Sequence, residues 1–215
     1  MKNAADCATF MPMKKKIASV LFLLLAHALA ASEIKGLIGI NWSKYLFSAD
    51  ATDLELRNKI GSRIGLGWAL DLNLQLQVEI DALISKRGAK TELTYAPGQS
   101  ISGIYTHTAI SVPILFKFKL KRGASPYAAL GPEFAFILSH RLQLPDSQES
   151  FDLSDNTKKF MLGFEALLGY QLPAGSWRII AELRYGRWFS NLMKLPEPQA
   201  KSESFSFLLG GVYVL

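Results

Sequence analysis

The chain of 215 residues has a single cysteine, Cys7, and it falls in a segment that reads as a removable leader. The remainder has no thiol with which to form a disulfide or to hold a soft metal. Long apolar runs are also missing: after residue 30, none approaches the ~20 residues that a helix needs to cross a bilayer. If the chain sits in a membrane, it must do so as a closed barrel, because an open sheet would leave backbone groups unsatisfied in lipid. A strong charge of one sign is lacking too. The formal net charge is +6, but the leader carries four lysines and one aspartate, so residues 31–215 hold only +3. That balance excludes the basic footprint of a nucleic-acid binder.

The leader is Lys14, Lys15 and Lys16 followed by the apolar run Ile17 to Leu29 and the small-x-small pattern Ala28-Leu29-Ala30. This is the grammar of a secretory signal peptide, with cleavage expected after Ala30 and the domain spanning 31–215. A basic cluster normally lies near the start, so Met1, Met11 and Met13 are all candidate initiators. Ala31 follows the cleavage site, where a lipoprotein would have cysteine.

Leu74 to Ser85 carries the clearest pattern. Leu74, Leu76, Val78, Ile80, Ala82 and Ile84 alternate with Gln75, Gln77, Glu79, Asp81, Leu83 and Ser85. A period of two is a strand; a helix would scatter these residues around its circumference. Seven further segments behave alike: 34–44, 61–71, 105–120, 126–138, 158–171, 177–187 and 204–215. Connections 45–60, 88–104, 139–157 and 188–203 are long, and those between them are short. Strict long–short alternation with an even strand count predicts an all-β, single, closed, antiparallel eight-stranded transmembrane barrel, with the long loops outside the bacterium. Pro113 lies inside a strand and predicts a bulge or local irregularity, since a closed sheet has no edge for a residue without an N–H.

Alternation alone leaves the direction of the apolar face open, because a soluble lipocalin-like barrel would turn it inward. The aromatic residues favour lipid outside. Trp68, Phe118, Tyr170, Trp177 and Tyr213 fall near the short-turn end and Trp42 and Tyr185 near the long-loop end, as two interfacial belts. The opposite parity mixes glycine and alanine with Arg63, Glu79, Asp81, Glu165, Glu182 and Arg184, expected as structural ion pairs filling the interior. A turn at Leu72-Asn73 sets Arg63 opposite Asp81 or diagonal to it, predicting contact with Asp81 or Glu79. The same reasoning pairs Arg184 with Glu165. Ile80, at the middle of its strand, is expected to face mid-membrane hydrocarbon.

The residues also carry a resemblance. Gly36-Leu37-Ile38-Gly39-Ile40-Asn41-Trp42-Ser43, Val78-Glu79-Ile80 running to Ser85-Lys86-Arg87-Gly88, and Ile110-Ser111-Val112-Pro113-Ile114-Leu115-Phe116-Lys117 form its first half. Pro126-Tyr127-Ala128-Ala129-Leu130-Gly131-Pro132, Glu182-Leu183-Arg184-Tyr185-Gly186 and Leu209-Gly210-Gly211-Val212-Tyr213-Val214-Leu215 complete it. The chain resembles the PorT-like family of outer-membrane β-barrel proteins from Bacteroidetes-type bacteria. The resemblance implies outer-membrane location and, for some members, an accessory role in protein secretion.

No catalytic, cofactor or metal set emerges. His107 and the pair Ser139-His140 lie near the outer rim, where barrel enzymes that modify lipid A place their chemistry. Neither has a carboxylate at a spacing that makes a nucleophile and base, and no ligand spacing suggests a metal. The expected partners are outer-membrane lipid, the barrel-assembly machinery during insertion, and a protein met through the long loops. The expected role is non-enzymatic, structural or interactive. The alternatives are a lipid-modifying barrel enzyme and a soluble binding barrel.

Overall fold

A computed structural model describes residues 33–47, 54–96, 99–120, 124–145, 147–194 and 200–215. The expected leader and its cleavage site lie outside the described residues. The strands are β1 (Glu33–Phe47), β2 (Leu54–Asp71), β3 (Leu76–Ala96), β4 (Gln99–Lys119), β5 (Ser125–Leu144), β6 (Glu149–Asp152), β7 (Phe160–Ala174), β8 (Trp177–Trp188) and β9 (Ala200–Val214). Every pairing is antiparallel. The sheet runs β4-β3-β2-β1-β9-β8-β7-β5, and a β4–β5 ladder closes it. β6 is a short extra strand paired only to the C-terminal end of β5. Eight strands therefore make the wall of an all-β closed barrel.

The faces separate as a period of two requires. Ile38, Leu130, Leu168 and Leu183 are each more than 60% exposed, on the outside. Arg63, Glu79, Asp81, Glu165, Glu182 and Arg184 are buried in the lumen. A soluble binding barrel would have the opposite arrangement, so that alternative is set aside.

Three expectations need correction. First, most of the residues assigned to long loops continue the strands. β3 and β4 pair as far as Glu92↔Ser102 and Thr94↔Ser100, leaving only residues 97–98 between them. Beyond the membrane both faces of a strand are wet, so the apolar alternation fades while the backbone ladder continues. Periodicity cannot see such a segment. Second, of the two outcomes expected at Pro113 the structure shows the local irregularity and not the bulge. The ladder runs Ile80↔Ile114 and then Leu83↔Ser111 in one register, so the missing N–H interrupts it without shifting it. Third, the β2–β3 turn is wider than two or three residues. Asp71 pairs Gln77, and the Asn73 side chain accepts from the backbone N–H groups of Gln75 and Leu76 at 2.9 and 2.8 Å. Leu74 consequently lies in the turn, and Arg63 stands opposite Ser85 while Asp81 stands opposite Gly67.

The β7–β8 turn is tight. Ala174 pairs Trp177 around Gly175-Ser176, with Gly175 at φ +68°. A two-residue hairpin needs a left-handed residue at its first central position, which glycine supplies without strain.

Candidate functional site: a filled lumen with a covered mouth

Lumen side chains stack in layers. At the short-turn end Glu33 holds Lys119 at 2.7 Å and also Arg178. In the next layer Glu79 accepts from Lys35 at 2.5 Å and Lys117 at 3.0 Å. Arg184 then reaches Glu182 at 2.5 Å, Glu165 at 2.7 Å and Asp81 at 2.8 Å. Tyr127 donates to Glu182 at 2.8 Å while the Lys117 ammonium sits 4.1 Å from the centre of the Tyr127 ring. Above them Arg63 pairs with Glu165, and Arg87 with Glu133 at 2.7 Å. Trp188 donates to the other oxygen of Glu133 at 3.0 Å and lies under the Arg87 guanidinium.

Among the described residues six carboxylates (Glu33, Glu79, Asp81, Glu133, Glu165, Glu182) and six cations (Lys35, Arg63, Arg87, Lys117, Lys119, Arg184) are buried. An eight-stranded barrel has just enough interior for its own side chains. Here they neutralise one another. Apolar patches such as Leu37, Leu83, Ile180, Leu208 and Val212 fill the rest. The arrangement is a plug, braced by charge.

The mouth at the long-connection end is built differently. Tyr45, His107, His140 and Thr157 form a hydrogen-bonded chain, and its polarity is fixed from one end. Thr157 donates to the carbonyl of Leu153 at 2.7 Å, so it accepts from His140 Nδ1 at 2.8 Å. His140 Nε2 is then an acceptor for the Tyr45 hydroxyl at 3.2 Å, and that hydroxyl accepts from His107 Nδ1 at 2.8 Å. The two segments after β5 and β8 fold over this chain. Thr157 bridges to Met193, Lys158 N–H donates to Leu192 at 2.8 Å, and Lys194 N–H to Asn156 at 2.9 Å. Leu192 is fully buried against the cluster that includes Tyr45, Trp188 and Ala200.

The residues singled out in the sequence are thus placed as follows. Arg184 contacts Glu165. Arg63 contacts Glu165 rather than Asp81 or Glu79, because the wider β2–β3 turn shifts the register, as the pairing with Ser85 shows. Phe118, Tyr170, Trp177 and Tyr213 are exposed on the wall, while Trp42, Trp68 and Tyr185 are half-buried there. Ile80 shares a row with Trp68 and is therefore near the belt, not at the mid-membrane level. His107 is fully buried and its ring is engaged by Tyr45. Sequence reasoning passed over Glu33, Lys35, Arg87, Lys117, Lys119 and Glu133. Each shares the inward parity of its strand, so asking which charges alternate with outward apolar residues would have found them. Among the described residues no group of three His, Cys, Asp or Glu is placed to hold a metal ion. Among the described residues no helix is long and apolar enough to cross a membrane.

Residues 27–194 match a family model described as outer membrane protein beta-barrel domain. No curated protein matches the sequence. Solved structures similar to this chain include the outer membrane protein OprG from Pseudomonas aeruginosa, at 10% identity, covering 86% of this chain and 97% of that one, with a TM-score of 0.49. Neisserial surface protein A is similar at 11% identity, covering 85% and 97%, with a TM-score of 0.48. The attachment invasion locus protein Ail of Yersinia pestis, solved with the heparin analogue sucrose octasulfate, is similar at 17% identity, covering 84% and 98%, with a TM-score of 0.42.

Proposed function

The chain belongs to the outer membrane protein beta-barrel domain family, and from that premise we propose that it is a non-enzymatic interaction barrel of the bacterial outer membrane. The observation that carries this reading is the neutral, cross-braced lumen, filled by its own side chains. Its partner-binding surface is the set of strand extensions beyond the membrane: the outer halves of β2, β3 and β4, with β5 and β6. Those extensions face the exterior. Residues such as Arg57, Lys90, Arg141, Ser150 and Asp152 are exposed there. In its finer form, the proposal takes the role that the PorT-like resemblance implies, accessory to protein secretion. The lipid-modifying alternative is disfavoured by burial: His107 has no exposed surface from which to meet a lipid ester.

The test has two parts. The purified barrel in a planar bilayer should give no steady ionic current. In cells, photo-crosslinkers at Lys90 and Ser150 should trap one protein partner, whereas one at Ile80 should trap lipid only. Deleting the gene should reduce delivery of secreted proteins to the cell surface. A steady current, or lipid A processing that is lost in His107→Ala, would overturn the reading.

A further inference from the structure

The lipid-facing side of β1, β9 and β8 carries three rows set by the ladder. Ile40, Phe207 and Leu183 stand abreast, then Trp42, Phe205 and Tyr185, then Lys44, Glu203 and Arg187. The middle row has the character of an interfacial belt, with the Tyr185 and Phe205 rings 4.9 Å apart. Two residues further along a strand tilted ~40° is a rise of about 5 Å. The charged row therefore lies at headgroup depth, immediately outside the aromatic one.

Glu203 stands opposite both cations in the ladder, so a row of two cations and one carboxylate keeps a net positive charge. Its contact with Lys44 is loose, at 3.7 Å, and the Lys44 side chain remains 44% exposed. Lys201 lies one step further out on the same face. The wall also opens at this point. β1 pairs β2 only as far as Ser43↔Lys59, whereas it follows β9 to Phe47↔Ala200. The parting leaves a small cleft of about 80 Å³, lined by Trp42, Lys44, Asn58, Glu203, Ser204 and Phe205. The opposite end of the same wall has an aromatic row too, Trp177, Tyr213, Ile34 and Trp68, with Trp177 and Tyr213 rings 5.1 Å apart. Beyond it the outward residues are Leu70 on β2 and Leu72 in the turn that follows, and Leu215 comes after β9. No charged row is present there among the described residues. The asymmetry matches a membrane whose two leaflets differ in the density of anionic groups at their headgroups.

We propose that Lys44 and Arg187, held apart by Glu203, bind the phosphate of a phosphorylated saccharolipid of the outer leaflet, with Trp42, Phe205 and Tyr185 against its sugar and upper acyl chains. Arginine offers a planar fork to phosphate oxygens and lysine a point charge. Asn58 supplies a neutral donor at the cleft. The site rests on the orientation given above, in which this end faces outward, but its lipid preference is measurable without regard to orientation.

The test places the purified, full barrel in phosphatidylcholine nanodiscs doped with diphosphorylated lipid A, dephosphorylated lipid A or phosphatidylglycerol, and counts retained lipid by native mass spectrometry. The native protein should retain diphosphorylated lipid A about tenfold more than either competitor, a difference of ~1.4 kcal/mol. The double variant Lys44→Gln/Arg187→Gln should lose that preference, and Lys158→Gln, on the same end but outside the row, should keep it. Heat-modifiable gel mobility reports whether each variant is folded, and the comparison of lipids on the native protein needs no variant. Equal retention of phosphorylated and dephosphorylated lipid A, equal retention of phosphatidylglycerol, or an unaltered preference in a folded double variant would each overturn the site. Failure of the orientation would appear separately, as labelling of this end from the periplasm.

Discussion

Arg184 and Glu165 touch at 2.7 Å although the ladder sets Arg184 opposite Leu167, one step along from its partner. The guanidinium crosses the diagonal of the lumen and collects Asp81 and Glu182 on the way. It is the cation with most carboxylates around it. Removing it leaves several buried negative charges uncompensated, a change that typically costs ~3–5 kcal/mol where water cannot enter. Arg184→Met should therefore lower the urea midpoint of the folded barrel more than Arg178→Met, whose side chain is partly exposed. Equal midpoints for the two variants would contradict the filled lumen.

Depth along the wall sets a second expectation. Ile64 pairs Ile38 and Ile84, between the two aromatic rows, and it is 52% exposed to lipid. Arginine at the bilayer midplane costs about 2–4 kcal/mol, falling towards zero at the interfaces. Ile64→Arg should thus depress the yield of assembled barrel strongly, and Ile80→Arg, in the Trp68 row, much less. Densitometry of folded and unfolded bands gives the comparison. Indistinguishable yields would show that the aromatic rows do not mark the interfaces.

The covered mouth depends on one hydroxyl that donates and accepts at once. Thr157→Val keeps shape but removes the acceptor of His140 Nδ1 and the donor to Leu153, at a loss of roughly 1–3 kcal/mol where a buried group is left unpaired. Amide hydrogen exchange should accelerate at Leu153–Lys158 and at Leu192–Lys194, while β7 and β8 stay protected. Uniform protection in the variant would mean that the chain of hydrogen bonds does not hold the cover.

Orientation can be tested with single cysteines, because Cys7 is the only native one and falls in the expected leader. Lys90→Cys and Lys158→Cys should react with a membrane-impermeant maleimide in intact cells. Asn73→Cys and Ser176→Cys, in the β2–β3 and β7–β8 turns, should react only after the outer membrane is opened. The reverse pattern would invert the topology.

Much of the fold was legible because a barrel wall obeys a single rule, and Ile64, Leu66, Trp68 and Leu70 obey it together with Arg63, Gly65 and Gly67. Partners inside the lumen were not, because they depend on register and register on turn width. One misjudged turn at Leu72–Gln75 moved Arg63 from Asp81 to Ser85 on its neighbouring strand. The strand extensions were hidden for the opposite reason: at Lys90, Thr91 and Glu92 both faces meet water, so no periodic signal exists to read. The mouth cluster draws Tyr45, His107, His140 and Thr157 from β1, β4, β5 and a turn, and only the closed topology brings them together.

Few lumen ion pairs join neighbouring strands. Lys35 on β1 meets Glu79 on β3, Arg63 on β2 meets Glu165 on β7, Arg87 on β3 meets Glu133 on β5, and Lys119 on β4 meets Glu33 on β1. They act like spokes across a wheel rather than links around its rim. A sheet that has zipped seven of its eight ladders but not curled shut lacks the pairs that span the barrel, such as Arg63 with Glu165 and Arg184 with Asp81. The β1–β9 seam, which joins the first strand to the last from Glu33↔Val214 to Phe47↔Ala200, therefore does more than add a final row of backbone bonds. Its closure and the quenching of the interior charges are one event, so a half-rolled sheet has little to hold it and assembly is expected to run to completion or reverse.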